Sequence, residues 1–237
     1  MIISFKHKFI FVKNYKTAGS SIETYLYNFL DSQDITAQTK EHKGINFQGN
    51  FDPQSLIENF EKETAMKYIN NKMAFFAHMP LWLIKERLEL LSEKIKINFF
   101  DDFYKFAVIR NPFDLIVSDY LWNNNKENHL RNNFKFDEII NEIQTNNFST
   151  FRLFNFNKIS TKNTKDILCD SVISFENLNE DLSKVFSFLN IPFNKKLNIF
   201  KKVSSNKRNY KEYYSEDAKK VVEKFFIKEI EYFNYEF

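Results

Sequence analysis

Three times along the chain a short β-favouring run gives way to an apolar period of helical spacing, and this alternation confines the fold to an α/β unit built on parallel strands. The runs are residues 9–13, 104–110 and 171–175. Ile22, Leu26, Phe29 and Leu30 follow the first, Phe113, Ile116, Val117, Tyr120 and Leu121 the second, and Leu182, Val185, Phe186 and Leu189 the third. Each set makes one buried helix face. Pro112 takes a first-turn position where its missing N–H costs little, Asn179 is placed to cap the third helix, and Pro192 lies just past its end. Leu81, Ile84, Leu88 and Leu91 mark another helix after Ala77-His78-Met79-Pro80. A last helix is expected over 215–233, with Glu216 and Asp217 in its first turn where acidic charge suits the helix dipole. Residues 31–72 are polar and mixed, and read as a long excursion with one helix near 53–68.

The chain has 237 residues, 43% of them hydrophobic, which suits one core and a single domain over 1–237. Lys and Arg total 34 against 31 Asp and Glu, a net charge of +3, so no global field draws the chain to nucleic acid or to an acidic membrane. Any anion site has to be local. Cys169 is the single cysteine and has no intramolecular partner, which favours a reducing, cytoplasmic setting. No signal peptide or membrane span is expected, because charged residues interrupt every apolar stretch well short of a span.

The chemistry gathers at two strand-to-helix junctions. Lys16-Thr17-Ala18-Gly19-Ser20-Ser21 follows the first run and offers backbone N–H groups, a glycine for close approach, a cation and three hydroxyls. Everything in that turn suits an anion. At the second, Arg110 ends a strand and Ser118 lies two turns into the next helix, so a guanidinium and a hydroxyl serve one further anion, unless Arg110 is instead held in a salt bridge by Asp114 or Asp119. Two such sites on neighbouring strand ends describe a nucleotide with two separate phosphate groups. No His, Cys and carboxylate grouping has metal-ligand spacing, and no metal is required.

These residues resemble the sulfotransferases that use 3′-phosphoadenosine 5′-phosphosulfate (PAPS), in particular the carbohydrate-type branch related to heparan 2-O-sulfotransferases and their bacterial relatives. Lys16 to Ser21 is similar to that family's 5′-phosphosulfate loop, and Arg110-Asn111-Pro112 with Ser118 to its 3′-phosphate segment. His78 stands where many relatives place a catalytic histidine, Ser174-Phe175-Glu176-Asn177-Leu178 resembles the third strand and its turn, and the Tyr-rich stretch with the closing Glu231 to Phe237 resembles the family's end. The departures are Tyr15 for the usual Pro, Ser20 for the common Thr and Asn234 for the usual Gly.

The resemblance implies a three-layer P-loop-kinase-like fold with a central parallel sheet, and in-line sulfuryl transfer from PAPS to a hydroxyl, on a carbohydrate, releasing adenosine 3′,5′-bisphosphate. Lys16 is then the residue that stabilises the leaving oxygen, and His78 the general base, with His42 as its rival. Thr17, Ala18, Gly19, Ser20, Ser21, Arg110 and Ser118 bind the donor, and Lys207 and Arg208 come from the loop that closes over the nucleotide in the family. A P-loop nucleotide or small-molecule kinase stays open, although no G-x-x-x-x-G-K-[ST] run is present. So does a non-catalytic nucleotide- or glycan-binding module. Nucleic-acid binding has little support, since the aromatics do not alternate with a basic stripe.

Overall fold

The computed structural model describes residues 1–31, 34–36, 75, 77–95, 99–124, 135–145, 152–194, 196–197 and 209–237. The expected helix near 53–68, together with His42, Lys207 and Arg208, lies outside the described residues.

A five-stranded sheet runs in the order β3-β1-β2-β4-β5. Its strands are β1 (Ile2–Ser4), β2 (Phe9–Val12), β3 (Ile35–Thr36), β4 (Tyr104–Ile109) and β5 (Ser171–Ser174). The three expected strands, β2, β4 and β5, are mutually parallel, with Phe11 beside Phe106 and Val108 beside Ile173. The sheet as a whole is mixed, not parallel: β1 pairs antiparallel with both β2 and β3. The reason is chain length. Only the turn at 5–8 separates β1 from β2, too few residues for the crossover that parallel neighbours need.

Alternation along β2 and β4 splits the core by face. Phe9, Phe11, Phe106 and Val108 meet Ile22 and Leu26 of α1 (Gly19–Leu26) and Leu182, Val185 and Phe186 of α7 (Leu178–Phe188). Ile10, Val12, Ala107 and Ile109 meet Leu81, Ile84 and Leu88 of α2 (Leu81–Ile95), with Phe100 of α3 (Phe99–Asp102). This gives the helix-sheet-helix layering of an α/β fold.

A third apolar cluster lies beyond the sheet. It joins α4 (Pro112–Asn123), α5 (Phe136–Gln144), the segment leading to α6 (Phe156–Ile159), and α8 (Glu216–Phe225), through Phe113, Ile116, Ile139, Ile143, Leu153 and Val222. The last expected helix is two, α8 and α9 (Ile227–Phe233), parted at Phe226. Ser215 caps the first by accepting from Ala218 N at 3.2 Å. The third helix begins two residues earlier than a cap at Asn179 would require: Asn177 is its N-terminal flanking residue, and the Asn179 carboxamide instead accepts from Leu197 N at 2.8 Å.

Candidate active site

The phosphate-loop candidate leaves β2 at Val12 and enters α1 at Gly19. Within it Lys16 and Ala18 hold left-handed backbone, with φ of 57° and 60°. For residues bearing a Cβ this conformation costs about 1–2 kcal/mol each, so the surroundings have to impose it. They do so carbonyl by carbonyl. His78 Nδ1 lies 2.9 Å from Lys13 O, Thr17 Oγ1 donates to Asn14 O at 3.2 Å, the Asn155 amide donates to Tyr15 O at 3.0 Å, and an Arg110 N–H donates to Lys16 O at 3.0 Å. Asn14 Nδ2 also reaches across to Val108 O of β4 at 2.9 Å.

Four consecutive carbonyl dipoles are thus occupied beside a helix start. There the helix dipole favours negative charge. Helix formation begins at Ala18 O, which accepts from Ser21 N at 2.9 Å and Ile22 N at 3.1 Å. Gly19 is required for space: a Cβ there would stand 2.7 Å from Lys13 Cγ. Lys13 passes beneath the helix start to a buried ion pair with Glu23 Oε2 at 2.5 Å, and the Met1 amino group meets the other carboxylate oxygen at 2.6 Å.

The second junction reaches into the first. Arg110 donates from Nε to Asp114 at 2.8 Å and pairs its terminal nitrogen with the same oxygen at 2.7 Å, while its remaining arm takes Lys16 O. Its guanidinium carbon sits 4.1 Å from the Phe175 ring centroid. The structural pairing with Asp114 and the link to the loop therefore coexist on one side chain. Asp114, Ser118 and Trp122 lie four residues apart along α4 and share a face. Asp114 holds Arg110 at one end of that face, Lys16 Nζ lies 4.8 Å from the Trp122 ring centroid at the other, and Ser118 falls between.

Asn111 caps α4 by accepting from Phe113 N at 3.0 Å. It also draws in two distant segments, donating from its backbone to Glu176 at 2.8 Å and from its side chain to Glu236 O at 2.8 Å. Asn234, in place of glycine, adopts φ 52°, a conformation asparagine tolerates, and so ends α9 as glycine would.

His78 enters α2 with φ 61°. A carbonyl oxygen only accepts, so Nδ1 carries the proton toward Lys13 O and Nε2 keeps its lone pair. Burial, followed by the charges of Lys158 and Lys13, holds the imidazole pKa down to about 3, and the ring is neutral at ordinary pH. The Tyr15 ring stands edge-on to it, with centroids 5.5 Å apart.

The structure adds a group of buried charges beside this junction. Asp119, the other expected partner of Arg110, is fully buried and instead pairs with Arg152 at 2.7 Å and accepts from Asn123 at 3.2 Å. Lys158, only 7% exposed, donates to Arg152 O at 2.7 Å, and burial lowers its pKa to about 7. Burial raises Glu229 to about 7 while it accepts from Phe156 N at 2.7 Å. Glu23 and Asp119 were findable, because each sits at helical spacing within an apolar stripe, Glu23 before Leu26 and Asp119 after Leu115 and Ile116. Asn155 and Lys158 carry no local signal. Among the described residues no group of three His, Cys, Asp or Glu is placed to hold a metal, and no helix is long and apolar enough to cross a membrane.

A turn of occupied carbonyls at a helix start, cross-braced by an arginine from the end of the neighbouring parallel strand, marks the strand-to-helix junction of an α/β protein. The profile described as "Sulfotransferase family" matches residues 1–236, so the chain belongs to that family and is a sulfotransferase. No curated protein sequence matches it. Among solved structures, the chain is similar to a sulfotransferase from Alicyclobacillus acidocaldarius, with 15% identity, a TM-score of 0.46, and coverage of 93% of this chain and 91% of that one. It is also similar to mouse sulfotransferase SULT7A1 complexed with PAP, with 13% identity, a TM-score of 0.48, and coverage of 96% and 85%.

Proposed function

We propose that residues 1–237 form one cytoplasmic sulfotransferase domain that moves the sulfuryl group of PAPS in line to an acceptor hydroxyl of the carbohydrate class. The observation that carries this reading is the Arg110 guanidinium on Lys16 O, which ties the two phosphate elements into one site. Lys16 supplies the cation for the bridging oxygen as the sulfur–oxygen bond to the 5′-phosphate breaks and the bond to the acceptor oxygen forms. His78 Nε2, unprotonated because Nδ1 holds the proton, takes the acceptor's proton. Thr17, Ala18, Gly19, Ser20 and Ser21 line the 5′-phosphate, and Arg110 with Ser118 the 3′-phosphate. The Ser21 N–H is committed to Ala18 O, so this residue contributes through its hydroxyl. Lys207 and Arg208 belong to the closing loop in this reading.

Calorimetric titration with adenosine 3′,5′-bisphosphate, against 5′-AMP and ADP, tests the donor site. The bisphosphate is expected to bind best, and Lys16→Ala and Arg110→Ala each to weaken it about tenfold or more, the scale of a charge-assisted contact. Equal binding of ADP would overturn the reading in favour of a kinase. His78→Ala is expected to lose about 10²–10⁴ in kcat, the usual worth of a general base, well beyond any loss of bisphosphate affinity from the missing contact to Lys13 O. An unchanged kcat would remove His78 from that role.

A further inference from the structure

The buried carboxamide of Asn155 holds the backbone of Tyr15 from both sides. Tyr15 N donates to its Oδ1 at 3.0 Å, and its Nδ2 donates to Tyr15 O at 3.0 Å, an exchange like that between paired strands. Asn155 is 2% exposed and is itself fixed: its backbone N–H goes to Leu153 O at 2.9 Å, its carbonyl accepts from Lys158 N at 3.0 Å, and its Oδ1 also receives Lys158 Nζ at 3.4 Å. Glu229 of α9 anchors the next residue by accepting from Phe156 N. A rigid segment from the far half of the chain therefore grips the residue immediately before the left-handed pair at Lys16 and Ala18.

Tyr15 stands where the turn begins, and unlike proline it brings a backbone N–H to satisfy and a φ that is not fixed by a ring. One amide answers both needs. Without it, Tyr15 would be left with an unpaired donor and acceptor in a half-buried place, and the left-handed backbone that follows would lose one of its constraints. Two distant residues, Asn155 and Arg110, hold adjacent peptide units of the same turn. Arg110 doubles as an anion ligand in the proposed site. Asn155 has no such use, because it is 2% exposed and both ends of its amide are engaged with Tyr15.

We infer that Asn155 is a positioning residue of the donor loop: it sets the backbone from which Lys16 and the helix-start amides meet the donor. This rests on the donor-site reading above. The test is Asn155→Ala, compared with Val222→Ala, which loosens the third cluster by a fully buried side chain. Circular dichroism checks the fold, calorimetry measures bisphosphate affinity, and hydrogen exchange follows the peptide spanning residues 13–21 without ligand.

Asn155→Ala is expected to bind the bisphosphate about tenfold more weakly, in line with one or two lost hydrogen bonds, to raise the donor KM with acceptor KM unchanged, and to exchange faster in the loop peptide. Val222→Ala is expected to lower Tm without these effects. If Asn155→Ala lowers Tm yet keeps affinity within twofold and loop exchange unchanged, Asn155 only supports the fold and the inference fails. If Asn155→Ala does not fold, Asn155→Asp replaces it: it keeps the oxygen that accepts from Tyr15 and loses the donor, and the same affinity and exchange criteria apply. Failure of the wild-type protein to prefer the bisphosphate would instead sink the donor-site reading, while faster loop exchange would still report the clamp.

Discussion

Ala18 holds the first carbonyl of α1 in a conformation that its own Cβ disfavours, with φ at 60°. Left-handed backbone costs a residue with a Cβ about 1–2 kcal/mol, whereas glycine avoids that cost and gives back about 0.4–1 kcal/mol through its freer unfolded chain. Ala18→Gly is therefore expected to raise stability by up to about 1 kcal/mol, some 2–4 °C in Tm for a chain of this size. A fall in Tm would mean that the alanine methyl packs against its surroundings by more than the strain it carries. Residue chemistry in this turn was legible in part. Reading the sequence gives Gly19 the close approach that a residue without a Cβ permits, and the turn does need it for space, although what approaches is the Lys13 side chain, 2.7 Å from where a Cβ would be. The positive φ values fall on Lys16 and Ala18, whose conformations are imposed by bonds from residues far along the chain, and no local pattern announces them.

At the scale of elements, the alternation of strand and helical period was readable because each signal is local: Phe9–Val12, Tyr104–Ile109 and Ser171–Ser174 are strands, and each precedes a helix with the expected face inward. β1 and β3 were not readable. They have three and two residues, too short for a period, and become strands only by pairing at the antiparallel edge of the sheet. The four-residue α6 was equally silent, yet it carries Lys158, whose charge acts on His78. Removing that charge has a predictable sign. Burial is the first cause of the low His78 pKa and Lys158 the next, so Lys158→Met is expected to raise it from about 3 toward the ordinary value. In the wild-type enzyme the acid limb of kcat/KM, which reports the free enzyme, then lies well below pH 6, and in the variant it moves upward. The same profiles for kcat should show a higher limb in both, since an anionic donor beside the ring favours its protonation. Coincident kcat/KM limbs in the two proteins would show that Lys158 does not tune His78.

Across the whole molecule, the two faces of the sheet are closed by apolar clusters, while the third cluster lies over the ends of β2 and β4 and brings buried ions with it. Lys13 with Glu23 lies beneath the loop, and Arg152 with Asp119 sits beside it. Glu229 joins α6 to the C-terminal helix through Phe156 N, and Lys158 ties α6 to the preceding segment through Arg152 O. A buried carboxylate of this kind makes global stability depend on pH. Glu229 is raised from 4.5 to about 7 by burial, so between those values the folded protein holds a proton that the unfolded chain releases. By linkage its contribution to stability is present below pH 4.5 and is lost as pH rises to 7. His78 acts in the opposite direction over part of that range. Lowered from 6.5 to about 3, it contributes stability above pH 6.5 that is lost on acidification. A wild-type melting profile alone mixes the two. Glu229→Gln separates them, because the glutamine oxygen can still accept from Phe156 N while the titrating group is gone. Compared with wild type at each pH, the variant is expected to gain in Tm at pH 8, where the native carboxylate is buried as an anion, and to gain nothing at pH 5, where it is already neutral. A Tm difference that stays constant from pH 5 to pH 8 would show that Glu229 is ionised throughout, and that the charge of Lys158 outweighs its burial.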